Sequence, residues 1–238
     1  MQPDFIKELE RSSKKGFTAD GRDRSKIGKS AKRKGKTGER FVAEMLSKYS
    51  GLPFRRIPNS GGFVGKTNRN KILECTEDQS EGLLGDILPP MILKKRFVLE
   101  SKNYKTFAWL KLESGQVPAK LNGWIDENLF DIETYLLAGY KRTPLGFLIF
   151  KITNQGTWIV YNKQYFELLE IKYFNPKYTI SHPISNTLQD KGFGNTFFIE
   201  DFEEFVKINS TELFQRRSKE ELMLEIQEST LKQFGEFE

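Results

Sequence analysis

Two short apolar segments between residues 85 and 102 contain the residues whose types and spacing have the most chemical content. The first follows Asp86 and the second ends in Glu100-Ser101-Lys102, with a Pro-Pro break and a basic turn between them. Apolar runs joined in this way predict neighbouring strands. Because side chains alternate along a strand, Glu100 and Lys102 lie on one face, about 6.5 Å apart. Pairing of the two strands would bring Asp86 to the same end of the sheet.

Two carboxylates and an amine around one point predict a particular chemistry. Adjacent carboxylates repel each other unless a cation lies between them, and hard oxygen ligands suit Mg²⁺ or Mn²⁺. Such a metal activates a bound water and offsets charge that develops on a phosphodiester. Lys102 would orient this water as an ammonium, or deprotonate it as an amine if burial and the metal lower its pKa. The pattern indicates metal-assisted phosphodiester hydrolysis; a surface hairpin with a solvated ion pair is the alternative.

The counts of cysteine and histidine exclude several other kinds of site. With Cys75 as the one cysteine, the chain has no internal disulfide framework and no cysteine zinc cluster. With His182 as the one histidine, it has no histidine-based metal site, and a Ser-His-Asp triad would depend on that single ring. His182 stands among turn residues, which predicts a position on the surface. The chemistry that remains is that of carboxylates, lysine and a metal.

The length of 238 residues allows one sizeable domain, or one domain with an extension. No apolar run approaches the length that a membrane span needs, and the N-terminus lacks the apolar core of a signal peptide. We therefore expect a soluble, cytoplasmic protein without a membrane partner or a small-molecule cofactor.

The excess of positive charge lies in the N-terminal arm. Residues 1–36 carry 12 basic and five acidic residues, whereas the other 202 residues are close to neutral. Low apolar content predicts that this arm is largely flexible, apart from a short helix near residues 4–12. A basic run suits a polyanion because each neutralised phosphate releases condensed counterions. We expect the arm to bind nucleic acid rather than to act only as a solubilising tail, through Lys32, Arg33, Lys34 and Lys36.

From Thr37 onward the apolar residues follow the 3.6-residue period of a helix, which Gly51 ends. Glu39 falls on the apolar stripe of this helix, one turn before Val42 and Ala43. It is either a first-turn carboxylate that the helix dipole favours, or an inward-facing ligand that a cation accompanies. The pattern alone leaves both readings open.

A short strand over residues 52–57 leads into Pro-Asn-Ser-Gly-Gly, where Ser60 offers a hydroxyl and the glycines allow close approach of a ligand. The alternative is an ordinary turn. A long polar loop follows over residues 64–84 and contains Lys66. Loops of this length without secondary structure are often functional or disordered.

The rest of the chain predicts scaffold elements. Aromatic residues alternate with lysines over residues 104–111, and packing over the sheet explains them better than stacking on bases. A helix is expected over residues 118–140, followed by a hairpin over 143–161 with its turn at 154–156. Further on, residues 165–171 and 218–234 predict helices and residues 196–199 a strand.

The order of these features resembles the PD-(D/E)XK nucleases, and most closely the archaeal type of Holliday junction resolvase and its phage relatives. The resemblance spans about residues 34–161. It is carried by Lys34-Gly35 with Gly38-Glu39-Arg40, by residues 54–62 (FRRIPNSGG), by Gly85-Asp86-Ile87 and by residues 98–102 (VLESK).

This resemblance implies roles for individual residues. Asp86 and Glu100 would hold the metal, with Glu39 joining directly or through water, and Lys102 would serve the nucleophilic water. Ser60 would lie at the site as the serine of the family's Ser-Gly motif does. The residues that resemble phosphate contacts of the family are Arg40, Arg55 and Arg56.

We therefore expect an α/β fold, with a mixed central sheet flanked by helices as in restriction endonucleases. Residues 1–36 would form the DNA-binding arm, 37–161 the nuclease core and 162–238 an α+β extension that is accessory or mediates dimerisation. The expected function is Mg²⁺- or Mn²⁺-dependent cleavage of branched DNA by a homodimer. The alternatives are a nuclease on this fold that acts on flaps, single strands or foreign duplex DNA, and a non-catalytic nucleic-acid-binding protein.

Overall fold

The computed structural model describes residues 24–58, 84–93, 97–137, 144–165 and 175–214. Within these ranges the helices are α1 (Arg24–Ser50), α2 (Trp109–Glu113), α3 (Ala119–Leu137), α4 (Asn186–Gln189), α5 (Phe202–Ile208) and α6 (Ser210–Phe214). The strands are β1 (Arg55–Arg56), β2 (Ile87–Leu88), β3 (Phe97–Tyr104), β4 (Leu145–Ile152), β5 (Gly156–Asn162), β6 (Tyr178–Ser181) and β7 (Thr196–Asp201), and one 3-10 turn spans Met91–Leu93.

The seven strands form one mixed sheet in the order β1-β2-β3-β4-β5-β7-β6. β3 and β4 are parallel, and every other pair is antiparallel. A parallel pair needs a long crossover connection, and α2 and α3 lie in the segment that joins β3 to β4. The structure thus confirms the predicted α/β architecture of a mixed sheet with flanking helices.

β4 is the central strand and is buried at seven of its eight positions. Burial on both faces explains why its sequence is a continuous apolar run rather than an alternating one. The predicted hairpin between β4 and β5 is confirmed. Its turn places Asn154 at φ 61° and Gly156 at φ 91°, a region that asparagine and glycine adopt more readily than other residues.

α1 is longer than the sequence pattern predicts. It begins at Arg24 and not at Thr37, so the expectation of a largely flexible arm up to residue 36 is wrong for residues 24–36. Lysine, arginine and alanine are good helix formers. Residues 24–36 therefore extend the second half of α1, which packs on the sheet through Val42 and Leu46. The amide of Gly51, at φ 68°, donates to the carbonyl of Ser47 at 3.0 Å and ends the helix.

The described part of residues 162–238 belongs to the same sheet. β7 pairs with β5 over residues 197–201, and β6 pairs with β7. Asp201 caps α5 by accepting a hydrogen bond from the Glu204 amide at 2.9 Å. Phe205 of α5 packs against Tyr161 at a ring separation of 4.9 Å, so α5 covers one face of the sheet. The expected strand at residues 196–199 is confirmed, whereas the helices expected at 4–12 and 218–234, and all but the first residue of the one at 165–171, lie outside the described residues.

None of the helices in the described ranges is both long and apolar enough to cross a membrane.

His182 is buried, so its predicted surface position is wrong. Only 3% of the residue is exposed. Its Nδ1 lies 3.1 Å from Oδ1 of Asn122 and its Nε2 lies 3.0 Å from Oδ1 of Asp126, both on α3. The ring also meets Phe197 edge to face at 5.9 Å. His182 therefore joins the end of β6 to the crossover helix.

Replacing His182 by leucine should lower the free energy of unfolding by about 1–3 kcal/mol, because two hydrogen-bonding side chains lose their partner. Urea unfolding followed by circular dichroism measures the change. Thr179→Ala is the matched control, since Thr179 is an exposed residue of the same strand. Equal stabilities of the leucine variant and the wild type would show that the two hydrogen bonds contribute nothing.

Candidate active site

A turn before β2 places Asp86 beside β3. Gly85 adopts φ 73°, and a Cβ at this position would lie 2.7 Å from the carbonyl oxygen of Leu99. The Asp86 amide donates to that same carbonyl at 2.8 Å. Oδ2 of Asp86 accepts from the amide of Ser101 at 3.0 Å. The carboxylate of Asp86 is thereby fixed next to the segment that carries Glu100.

Glu100 and Lys102 lie side by side on β3, as strand alternation predicts. Lys102 Nζ is 2.5 Å from Glu100 Oε1 and 2.7 Å from Oε2 of Glu127, which comes from α3. The Glu100 and Lys102 side chains are only 11% and 17% exposed. The pair is thus a largely desolvated part of the sheet and not a solvated surface ion pair.

Glu39 faces the same region from α1. Arg56 Nε donates to Oε2 of Glu39 at 2.5 Å. The side chain of Arg56 is 19% exposed and that of Glu39 is 14% exposed. Burial raises the pKa of Glu39, and so does the negative charge of Asp86. Of the two readings of Glu39, the structure favours the inward-facing one.

The charge of Asp86 acts on both glutamates of the candidate site. Burial raises the pKa of Glu100 well above its usual value, and the charge of Asp86 raises it further. Asp86 therefore acts electrostatically on both Glu39 and Glu100. A bound cation would relieve this effect of Asp86 on the two glutamates.

The side chains as placed are paired with basic groups. Among the described residues, no group of three or more histidine, cysteine or acidic side chains stands ready to hold a metal ion. Glu39 instead contacts Arg56, and Glu100 contacts Lys102. The donor chemistry nevertheless suits a hard divalent cation, because Asp86 in the turn before β2 acts electrostatically on one carboxylate of α1 and on one of β3.

An open groove of about 550 Å³ is lined in part by Arg56, the partner of Glu39. It runs between α1 and β1, and its basic lining residues are Arg40, Lys48, Arg55 and Arg56. Arg40 is exposed on α1, whereas Arg56 reaches inward to Glu39. Arg56 therefore contacts both the groove and Glu39.

A protein-family model described as a phage putative PDDEXK endonuclease matches residues 30–215, which is most of the chain. The chain belongs to this family. No curated protein and no solved structure gives a match. The PD-(D/E)XK resemblance is therefore confirmed, and the protein is a nuclease whose matched segment includes Glu39, Asp86, Glu100 and Lys102.

In this PDDEXK nuclease, Lys102 is an ammonium. Burial alone would lower the pKa of Lys102, but the adjacent carboxylates of Glu100 and Glu127 outweigh it and raise the pKa above its usual value. This state, which holds without a metal, suits orientation of a water or phosphate by a cation.

The predicted DNA-binding residues that the structure describes fall into two groups. Lys66 and the predicted catalytic residue Ser60 lie outside the described residues. Arg40, Arg55 and Arg56 line the groove of the nuclease. The other four lie on α1, where Lys32 and Arg33 are exposed; Lys34 Nζ is 3.4 Å from Thr153 Oγ1 and Lys36 is half-buried.

Two acidic residues of α3 near the site were not found in the sequence. Glu127 contacts Lys102, and Oδ2 of Asp131 accepts from the amide of Gly85 at 3.1 Å. Burial raises the pKa of Asp131 to about 7. The only sequence signal is the spacing of four residues between two acids on a predicted helix, which places both on one face.

α1 packs closely on β3 at Gly38, the residue before Glu39. A Cβ on Gly38 would lie 2.7 Å from Cβ of Asn103, and Asn103 Nδ2 donates to the carbonyl of Lys34 at 3.0 Å. Glycine is therefore required at position 38. This contact joins the residue before Glu39 to Asn103, the residue after Lys102.

Gly38→Ala should cost about 1–3 kcal/mol of unfolding free energy, because the added methyl group pushes α1 from β3. It should also reduce cleavage, because Glu39 moves with the helix. Gly28→Ala is the matched control on the same helix: nothing lies within 4 Å of its Cβ position, so it should gain up to about 1 kcal/mol from helix propensity. Chemical denaturation and a cleavage assay measure both changes, and equal behaviour of the two variants would contradict close packing at Gly38.

Proposed function

We propose that this nuclease is a metal-dependent endonuclease that hydrolyses phosphodiester bonds of DNA. Glu39, Asp86 and Glu100 would hold Mg²⁺ or Mn²⁺, and Lys102 would serve the nucleophilic water. The supporting observation is that Asp86 lies close enough to both glutamates to raise the pKa of each. When bound, the metal would supply water activation and charge stabilisation on the phosphate.

Individual residues would have different roles in the proposed cleavage. The Lys102 ammonium, held at 2.5 Å from Glu100, would orient the attacking water or the non-bridging phosphate oxygen. Arg56 holds Glu39 at 2.5 Å in the structure and lines the groove, so it lies where a phosphate would enter. Ser60 keeps the role that the family resemblance implies for it.

DNA would follow the groove onto α1. The basic side chains of the groove and of the exposed half of α1 suit the phosphate backbone, whose neutralisation releases counterions. Lys32, Arg33, Lys34 and Lys36 would contact phosphates on one side of the groove, and Lys66 would add a contact from the loop before β2.

Branched DNA is the favoured substrate. The resemblance to archaeal-type junction resolvases supports a homodimer whose two sites cut two strands of a four-way junction, and a two-fold dimer suits such a substrate. As a phage nuclease, the protein would act in the cytoplasm of the host cell.

A cleavage panel tests the substrate. The full chain, with Mg²⁺ or Mn²⁺, is given a four-way junction, a flap, linear duplex and single-stranded DNA of shared sequence. Preference for the junction, with symmetrical paired cuts and a dimer mass by light scattering, is the expected result. Faster cutting of linear duplex would overturn the branched-DNA assignment. Inactivity on every substrate with both metals would support a protein that only binds nucleic acid.

One observation favours a second candidate, a nuclease that acts on flaps or single strands. Half-buried Trp109, Trp158 and Tyr178 form a surface patch, with ring separations of 4.8 and 5.8 Å from Trp109. Exposed Lys177 lies over Trp158, with Nζ 4.8 Å from the ring centre. Aromatic rings with nearby cations suit unpaired bases. Cleavage of the flap ahead of the junction in the same panel would favour this candidate.

A further inference from the structure

Helix α3 presents two carboxylates to the candidate active site. Glu127 and Asp131 are four residues apart, so they lie one turn from each other on one face. Like charges at this spacing destabilise a helix, so favourable partners must compensate. The partners are the Lys102 ammonium, 2.7 Å from Glu127, and the Gly85 amide, 3.1 Å from Asp131.

Packing of α3 on the sheet does not require these carboxylates. The helix already buries Leu121, Ile125, Leu129 and Ile132. Glu127 is 38% exposed at its side chain, so it contributes little to the apolar contact. Both acids instead touch groups that neighbour the proposed metal ligands, one on β3 and one in the turn before β2.

Glu127 is the second acidic partner of Lys102. The ammonium has three donors and contacts both Glu100 and Glu127. A carboxylate that binds a cation has fewer lone pairs left for an ammonium. With Glu100 assigned to the metal, Glu127 is the partner that would keep the flexible lysine side chain directed at the site.

Asp131 acts on Asp86, another of the proposed metal ligands. Gly85 has φ 73° and lies against Leu99, and Asp86 follows it directly. The hydrogen bond from the Gly85 amide to Asp131 ties this turn to α3. This hydrogen bond therefore helps to set the direction in which the Asp86 carboxylate points.

We infer that Glu127 and Asp131 are positioning residues of this nuclease: Glu127 orients Lys102, and Asp131 orients Asp86 through the Gly85 turn. The inference rests on the proposed metal-dependent cleavage. Residues that orient ligands from behind typically change metal affinity or activity by about 10–100-fold when they are removed.

Kinetics and calorimetry on the full chain separate the two roles. Glu127→Gln should lower the single-turnover cleavage rate by about 10–100-fold with little change in Mn²⁺ affinity, and Asp131→Asn should weaken Mn²⁺ binding by a similar factor. Glu133→Gln is the matched control, since it removes the same charge from the same helix at a residue that contacts Ser185 instead. Thermal melting checks that each variant is folded.

Nitrogen NMR of the lysine ammonium groups gives a readout independent of activity. The Lys102 signal, identified by its loss in Lys102→Met, should persist when Mg²⁺ is added to the wild type and to Glu133→Gln. In Glu127→Gln it should vanish on addition of Mg²⁺. Persistence of the signal in Glu127→Gln would overturn the role of Glu127, and unchanged Mn²⁺ affinity in Asp131→Asn would overturn that of Asp131. A wild type without metal-dependent cleavage would instead refute the proposed function, which is a different outcome.

Discussion

Replacing Glu100 by glutamine should reduce cleavage by at least about 10³-fold, because a metal contributes several kcal/mol to transition-state stabilisation and each 1.4 kcal/mol is tenfold in rate. Glu100 is 8% exposed and lies between Asp86 and Lys102, so the amide fits the space but removes the charge that a metal needs. DNA affinity should stay unchanged or rise, because a negative charge near the phosphates is lost. Single-turnover cleavage and fluorescence anisotropy measure the two quantities.

The stability of this variant distinguishes a lost ligand from structural damage. Burial and Asp86 raise the pKa of Glu100 in the folded protein, so its ionised form at neutral pH opposes folding. Glutamine removes this cost, and Glu127 still pairs with Lys102. The melting temperature should therefore be equal to or higher than that of the wild type. A variant that keeps a tenth or more of the wild-type rate would contradict the assignment of Glu100, whatever its stability.

The central residues of the site follow from local rules. Strand alternation places Glu100 and Lys102 on one face, and pairing of Ile87 with Leu99 brings Asp86 to them. The position of Glu39 on an apolar stripe left two readings, and its surroundings favour the inward one. Short-range periodicity is enough for Glu100 and Lys102, which share β3, whereas Asp86 also needs the pairing of β2 with β3.

What the sequence missed depends on distant partners. His182 sits among turn residues, and its burial comes from Asn122 and Asp126, about 60 residues earlier in the chain. Glu127 looks like a polar residue of an amphipathic helix until β3 supplies Lys102. The sequence around His182 and around Glu127 contains no pattern that predicts these distant partners.

The start of α1 was missed for a different reason. Its first half has no apolar stripe, and low apolar content is the signature of disorder. Continuity with a packed second half removes the cost of starting a helix, so strong helix formers can extend it. The basic residues of α1 are consequently fixed relative to Glu39, and Arg33 lies about 9 Å from it along the axis at 1.5 Å per residue.

The position of the basic residues on α1 leads to the second large expected effect, a loss of DNA affinity. Basic residues at 26, 29, 33, 36 and 40 follow the alternating spacing of three and four residues that forms one stripe on a helix. The stripe ends at Arg40 in the groove. The combined change of Lys32, Arg33 and Lys36 to glutamine removes two charges of this stripe and one beside it. DNA affinity should fall on the order of 10²-fold at 0.1 M salt, because up to three phosphate contacts are lost.

The salt dependence of DNA affinity shows whether lost phosphate contacts cause the decrease. Each lost phosphate contact reduces the slope of log affinity against log salt by about 0.9, so the triple variant should lose about 2.7. Changing Lys163, Lys191 and Lys207 to glutamine is the charge-matched control, since all three are exposed beyond β5. Cleavage at saturating DNA should stay near the wild-type rate in both variants, because the carboxylates are untouched. Equal slopes in the two triple variants would mean that DNA responds only to net charge, and that α1 does not guide it to the site.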